Sequence, residues 1–106
     1  MDPDAARVLL LSRRAREAGP KPQWEGEEAE AQARLFNWTL RRLNVTIDGL
    51  SLVADVPRTA IARLAGHATP GAVTWRTLDP ARFAAIEAAL QLIDPELDLR
   101  AILRLR

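Results

Sequence analysis

Cysteine is absent from this chain of 106 residues, serine occurs only at Ser12 and Ser51, and His67 is the single histidine. Without cysteine there is no disulfide framework, no thiolate metal site and no thiol nucleophile, a usage that fits the cytoplasm. One histidine, two serines and no glycine-rich phosphate loop assemble neither a nucleophile–base set nor a metal-ligand spacing. The sequence therefore predicts neither an enzyme nor a cofactor or metal. The carboxylate pairs Asp79 with Glu87 and Asp94 with Glu96 read as helix caps and exposed acids. Long apolar runs are missing as well: Val8 to Leu11 is far too short to span a membrane, and Asp2 and Asp4 stand where a signal peptide would be basic.

The net charge is only +1, but it is unevenly spread. Residues 1–30 hold five bases against seven acids, residues 31–76 six arginines against Asp48 and Asp55, and residues 77–106 four bases against five acids. The middle of the chain is thus a local positive field, the feature that steers a protein toward phosphates.

Alanine, leucine and arginine dominate, and the β-branched residues are scattered, so the expected class is all-α. Asp2 or Asp4 can cap a first helix over Ala5 to Ala18, striped by Val8, Leu11, Ala15 and Ala18 and ended by Gly19-Pro20. Pro20 to Glu28 reads as a linker or arm. A second helix is predicted over Glu27 to Leu43, acidic at its start and basic at its end, with Ala29, Ala33, Phe36, Leu40 and Leu43 on one face. Trp38 falls on the opposite face, beside Arg34 and Arg41. Asp79-Pro80 caps and opens a late helix with Phe83, Ile86, Leu90 and Ile93 inward. Between these, Val73, Trp75 and Thr77 alternate as a short strand would. Leu97 to Arg106 alternates too, which predicts a strand in need of a partner.

The informative stretch is NVTIDGLSLVADVPRTAIARL, Asn44 to Leu64, two short apolar-patterned segments with arginine only on the second. A helix-turn-helix needs a residue tolerant of positive φ at its turn and small or apolar residues where the helices cross. Thr46 is a good N-cap, Asp48 sits in the first turn, Leu50 and Ala54 face inward, Ser51 is small at the crossing, and Val56 closes the turn. Pro57 and Arg58 open the second helix. Ile61 and Leu64 bury its inner face, leaving Arg58, Thr59, Ala62, Arg63 and Gly66 outward.

Those residues resemble the Cro/repressor-type (XRE, lambda-repressor-like) helix-turn-helix family: a Thr-led helix, a Leu-Ala pair, a tight turn ending in valine, then an arginine followed by Ile-x-Arg-Leu. The likeness covers Thr46 to Leu64 and extends loosely from Phe36 to Leu92. Asp55 stands where the family usually has glycine, Ser51 where it has alanine, and Ala65 where it has glutamate. The resemblance implies a helix-turn-helix bundle whose second helix enters the major groove of double-stranded DNA. Arg58 and Thr59 would then lie near base edges or phosphates, with Arg63 one turn further on. Thr46 would set the first helix against a phosphate. Read from the residues themselves, Arg76 with Thr69 and Thr74 would make the loop a backbone-gripping wing, while Trp75 reads more simply as an anchor pinning that loop to the core.

The expected plan is an N-terminal helix and arm (1–30), a helix-turn-helix domain (31–94) and a C-terminal dimerisation segment (95–106). The expected function is that of a cytoplasmic, sequence-specific DNA-binding regulator, a homodimeric repressor or the DNA-binding antitoxin paired with a toxin. The alternative is a protein-interaction module that uses Trp24, Trp38 and the N-terminal arm.

Overall fold

The computed structural model describes residues 1–67 and 74–105. These form six helices: α1 (Pro3–Leu10), α2 (Glu28–Arg42), α3 (Ile47–Ala54), α4 (Arg58–Leu64), α5 (Pro80–Gln91) and α6 (Leu99–Ile102). No strand occurs among the described residues, and the chain is all-α.

Asp2 caps α1 by accepting the Ala5 amide at 3.2 Å, with Pro3 pre-set at the first helical position. The helix stops at Leu10, eight residues before the expected Ala18. Beyond Leu11 the sequence SRRAREA offers only Ala15 and Ala18 to an interior, so a longer helix would bury almost nothing. The chain instead runs extended and makes a single antiparallel bridge between Leu11 and Val45. Ser12 donates to the Asn44 carbonyl at 2.8 Å, and Thr46 to the Leu10 carbonyl at 2.9 Å. The stripe also differs: Ala6 and Leu10 are buried, whereas Val8 is 76% exposed.

The bounds of α2 match the expectation to within a residue at each end, but its buried face is rotated. Ala31, Gln32, Leu35, Phe36, Thr39 and Leu40 are inside, whereas Ala29 is exposed and Ala33 half-buried. Gln32 moves the face: its amide donates to the Leu103 carbonyl at 3.0 Å, which satisfies a polar group only 1% exposed. Asn44, at φ 59°, ends α2 in a left-handed turn in which its own amide reaches Arg41 and that of Val45 reaches Leu40.

The C-terminal segment is not a strand. Asp98 accepts the Ala101 amide and starts the one-turn helix α6, while Leu97, Leu99 and Leu103 are buried in this chain's own core. Period-two alternation contains the i, i+4 pair Leu99 and Leu103, so the same letters serve a helix. Polar side chains hold the segment down: Glu87 accepts the Leu99 amide at 2.9 Å, and Gln91 donates to the Leu97 carbonyl at 2.9 Å. The expected strand between Val73 and Thr77 is corrected in its described part, since residues 75–77 form a turn; Val73 lies outside the described residues.

One core unites these parts. Leu10 from the N-terminus and Leu97, Leu99 and Leu103 from the C-terminus join Phe36, Leu50, Ile61, Ile86 and Leu90. Trp75 anchors its segment there, edge-on to Phe36 at 4.7 Å and to Phe83 at 6.0 Å. The end of α1 lies against the first turn of α3, where the missing side chain of Gly49 permits the close approach. A Cβ at that position would stand 2.1 Å from the Leu9 carbonyl oxygen.

Candidate nucleic-acid interface

Thr46 caps α3, its hydroxyl accepting the Gly49 amide at 2.9 Å, and Leu50 and Ala54 point inward. The helix ends at Asp55, which adopts the left-handed conformation at φ 55°, ψ 47°. Aspartate is among the side chains that tolerate this region. Ser51 does more than leave room: its hydroxyl donates to the Val56 carbonyl at 2.6 Å and ties the turn to α3. Val56 is buried, Pro57 takes the N-cap position of α4, and the helix proper begins at Arg58. Gly66, at φ 81°, stops α4, with the Gly66 amide on Arg63 and the His67 amide on Ala62.

Of the seven residues of α4, Ala60, Ile61, Ala62 and Leu64 are buried, leaving Arg58, Thr59 and Arg63 as its solvent face, with Pro57 exposed just before them. Ala62 is a correction, because it was expected to face outward and is only 7% exposed. Sequence spacing shows one buried face, whereas α4 packs on both α3 and α2.

The arginines of this region differ in how free they are. Arg58 is ion-paired with Asp48 of α3, and Arg42 with Asp94 at 3.7 Å. Arg76 grips Glu28 through two hydrogen bonds of 2.5 and 3.0 Å. That contact holds the Glu28 carboxyl below its usual range and pushes the Arg76 guanidinium higher, the hydrogen bond being the main cause in both. Arg76 therefore fastens the 74–79 segment to the start of α2. Thr74 and Thr77 bond each other there, and Thr69 lies outside the described residues. Arg63 is exposed and makes no ion pair among the described residues.

Thr46 is a cap as expected, but its own amide is taken by Leu10, and Leu9 lies against the same first turn. A feature that sequence reasoning missed stands beside it. The extended arm places Arg13 and Arg14, both exposed and free of ion pairs among the described residues, next to Asn44 to Thr46, and Arg16 donates to the Val45 carbonyl. The run SRRAR was the available signal, hidden by its reading as helix.

The tryptophans are engaged within the chain. The Trp38 indole donates to the Gly19 carbonyl at 3.0 Å with Arg42 over its ring at 5.5 Å, and Arg104 covers Trp24 at 4.7 Å. His67 bonds Asn37 at 2.8 Å. Among the described residues no cluster of three metal-ligating side chains occurs, and no helix is long and apolar enough to cross a membrane. Comparison with protein-family models, curated proteins and solved structures finds no match.

Proposed function

We propose that the chain is a sequence-specific DNA-binding regulator of the Cro/repressor helix-turn-helix type, acting in the cytoplasm without catalysis as a repressor or as the DNA-binding antitoxin of a toxin. The observation that carries this reading is the composition of α4. Everything apolar on it is buried, and what remains outward is Arg58, Thr59 and the unpaired Arg63. In the major groove an arginine at that position can donate two hydrogen bonds to guanine. Arg13 and Arg14 would add phosphate contacts beside the start of α3, a role that Arg76, held by Glu28, serves less well.

A homodimer remains part of the proposal, on a different surface. Leu97, Leu99 and Leu103 are consumed inside the chain, whereas Met1, Val8, Leu9, Leu11 and Leu52, the large exposed apolar side chains among the described residues, all lie on or beside α1 and on α3. A second copy docked against α1 and α3 would cover such side chains and present two α4 helices to a pseudo-palindromic site. The interaction-module alternative loses support, since Trp24 and Trp38 are occupied by this chain's own arm and arginines.

The test is Arg63→Ala on a duplex recovered by selection from a randomised pool. Affinity should fall by about 1–3 kcal/mol, with relaxed preference at one base pair. Unchanged affinity and preference would remove Arg63 from the readout.

A further inference from the structure

Where the 74–79 segment meets the start of α5 and the end of α6, the surface opens into a cleft of about 260 Å³. It is lined by Trp75, Leu78, Phe83 and Leu105 together with two guanidinium groups, those of Arg76 and Arg100. No exposed residue of α4 contributes to it.

Two groups there lack what their chemistry calls for. Trp75 is 4% exposed, and its indole N–H is buried without an acceptor among the described residues, a deficit that buried donors rarely carry. Arg100 lies over the Phe83 ring at 5.1 Å and has no carboxylate partner among the described residues. Arg76, by contrast, is already neutralised by Glu28. The site thus combines one uncompensated cation with an aromatic and aliphatic lining. A cation would be repelled. Ligand sites typically span ~300–1,000 Å³, so this one takes a single ring in preference to a nucleotide.

We infer that this cleft binds a small aromatic carboxylate, whose anionic group pairs with Arg100 and whose ring lies against Leu78 and Leu105, close enough to Trp75 to report on its indole. The site stands apart from the DNA-reading surface, and its test requires no DNA.

The full chain, labelled with ¹⁵N, gives three indole N–H resonances, which Trp24→Phe and Trp38→Phe assign by elimination. Benzoate and indole-3-acetate are titrated in, with benzyl alcohol as the uncharged control. The expected result is a saturable shift of the Trp75 indole with a carboxylate and a far weaker one with the alcohol. Arg100→Gln should weaken binding about tenfold or more, as loss of a charge-assisted pair does, while Arg100→Lys retains part of it and Arg63→Gln changes nothing. Unperturbed backbone resonances in each variant establish that it is folded. No saturable shift up to about 10 mM of either carboxylate, the range of the weakest specific binding, would overturn the inference. Equal response to benzyl alcohol, or equal affinity in Arg100→Gln, would overturn it as well.

Discussion

Replacing Gly49 with alanine sets two effects of opposite sign against each other. By helix propensity alone, alanine should stabilise α3 by about 1 kcal/mol. The added Cβ, however, would sit 2.1 Å from the Leu9 carbonyl oxygen and 2.9 Å from the Leu9 carbonyl carbon, both backbone atoms that no rotamer change can move. To make room, the end of α1 must withdraw. That shift weakens the hydrogen bond from Thr46 to Leu10, worth about 1 kcal/mol, and strains packing around Leu10, where overpacking costs about 1–3 kcal/mol. The net expectation is a loss of about 1–3 kcal/mol, a fall in Tm of roughly 10 °C for a domain of this size. Urea unfolding should show a lower midpoint at unchanged slope, and amide exchange should accelerate most at Ser12 and Thr46, whose bonds span the contact. A Gly49→Ala protein as stable as the parent, or more so, would refute the docking of α1 on α3.

Ser51→Ala should cost about 1 kcal/mol in urea unfolding through loss of the bond to Val56, and Asp55→Gly should raise stability by about 0.5–1 kcal/mol by relieving the left-handed backbone. Asp48→Asn should raise DNA affinity severalfold by anisotropy at low salt, because it frees Arg58 and removes an acid from the interface; lower affinity would show that Asp48 positions Arg58 productively. Glu28 has a depressed native pKa, so its pairing with Arg76 supports the fold above the ordinary glutamate range and fades as pH falls through that native value. The stability gap between the parent and Glu28→Gln, measured by thermal melts, should therefore close progressively below about pH 4. Val8→Glu with Leu52→Glu should convert a dimer to monomers by light scattering, whereas an unaltered dimer would move the interface off this face.

Local chemistry was legible wherever a residue acts on its own backbone. Thr46, Asp55, Pro57 and Asp79-Pro80 mark helix starts and a turn by capping or by φ preference, and the elements fall where those residues place them. The errors arose where distant parts decide. α1 stops early because Leu11 finds Val45, 34 positions away, a partner no local pattern announces. The face of α2 rotates because Gln32 answers the carbonyl of Leu103. The C-terminal alternation suits a strand and a one-turn helix equally, and Glu87 and Gln91 on α5 settle it. Ala62 is buried although spacing puts it on the outer face, and α4 packs on two helices where spacing shows one. Arg58 and Arg63 look alike in sequence, and only the fold shows that Asp48 holds the first and leaves the second free.

The most direct measurement is selection of bound duplexes from a fully randomised DNA pool by the purified chain at two salt concentrations, read by sequencing. An enriched inverted repeat, bound far more weakly at the higher salt because phosphate contacts release counterions, is the outcome expected of two α4 helices reading DNA. A folded protein that enriches no sequence at either salt would contradict the DNA-binding reading.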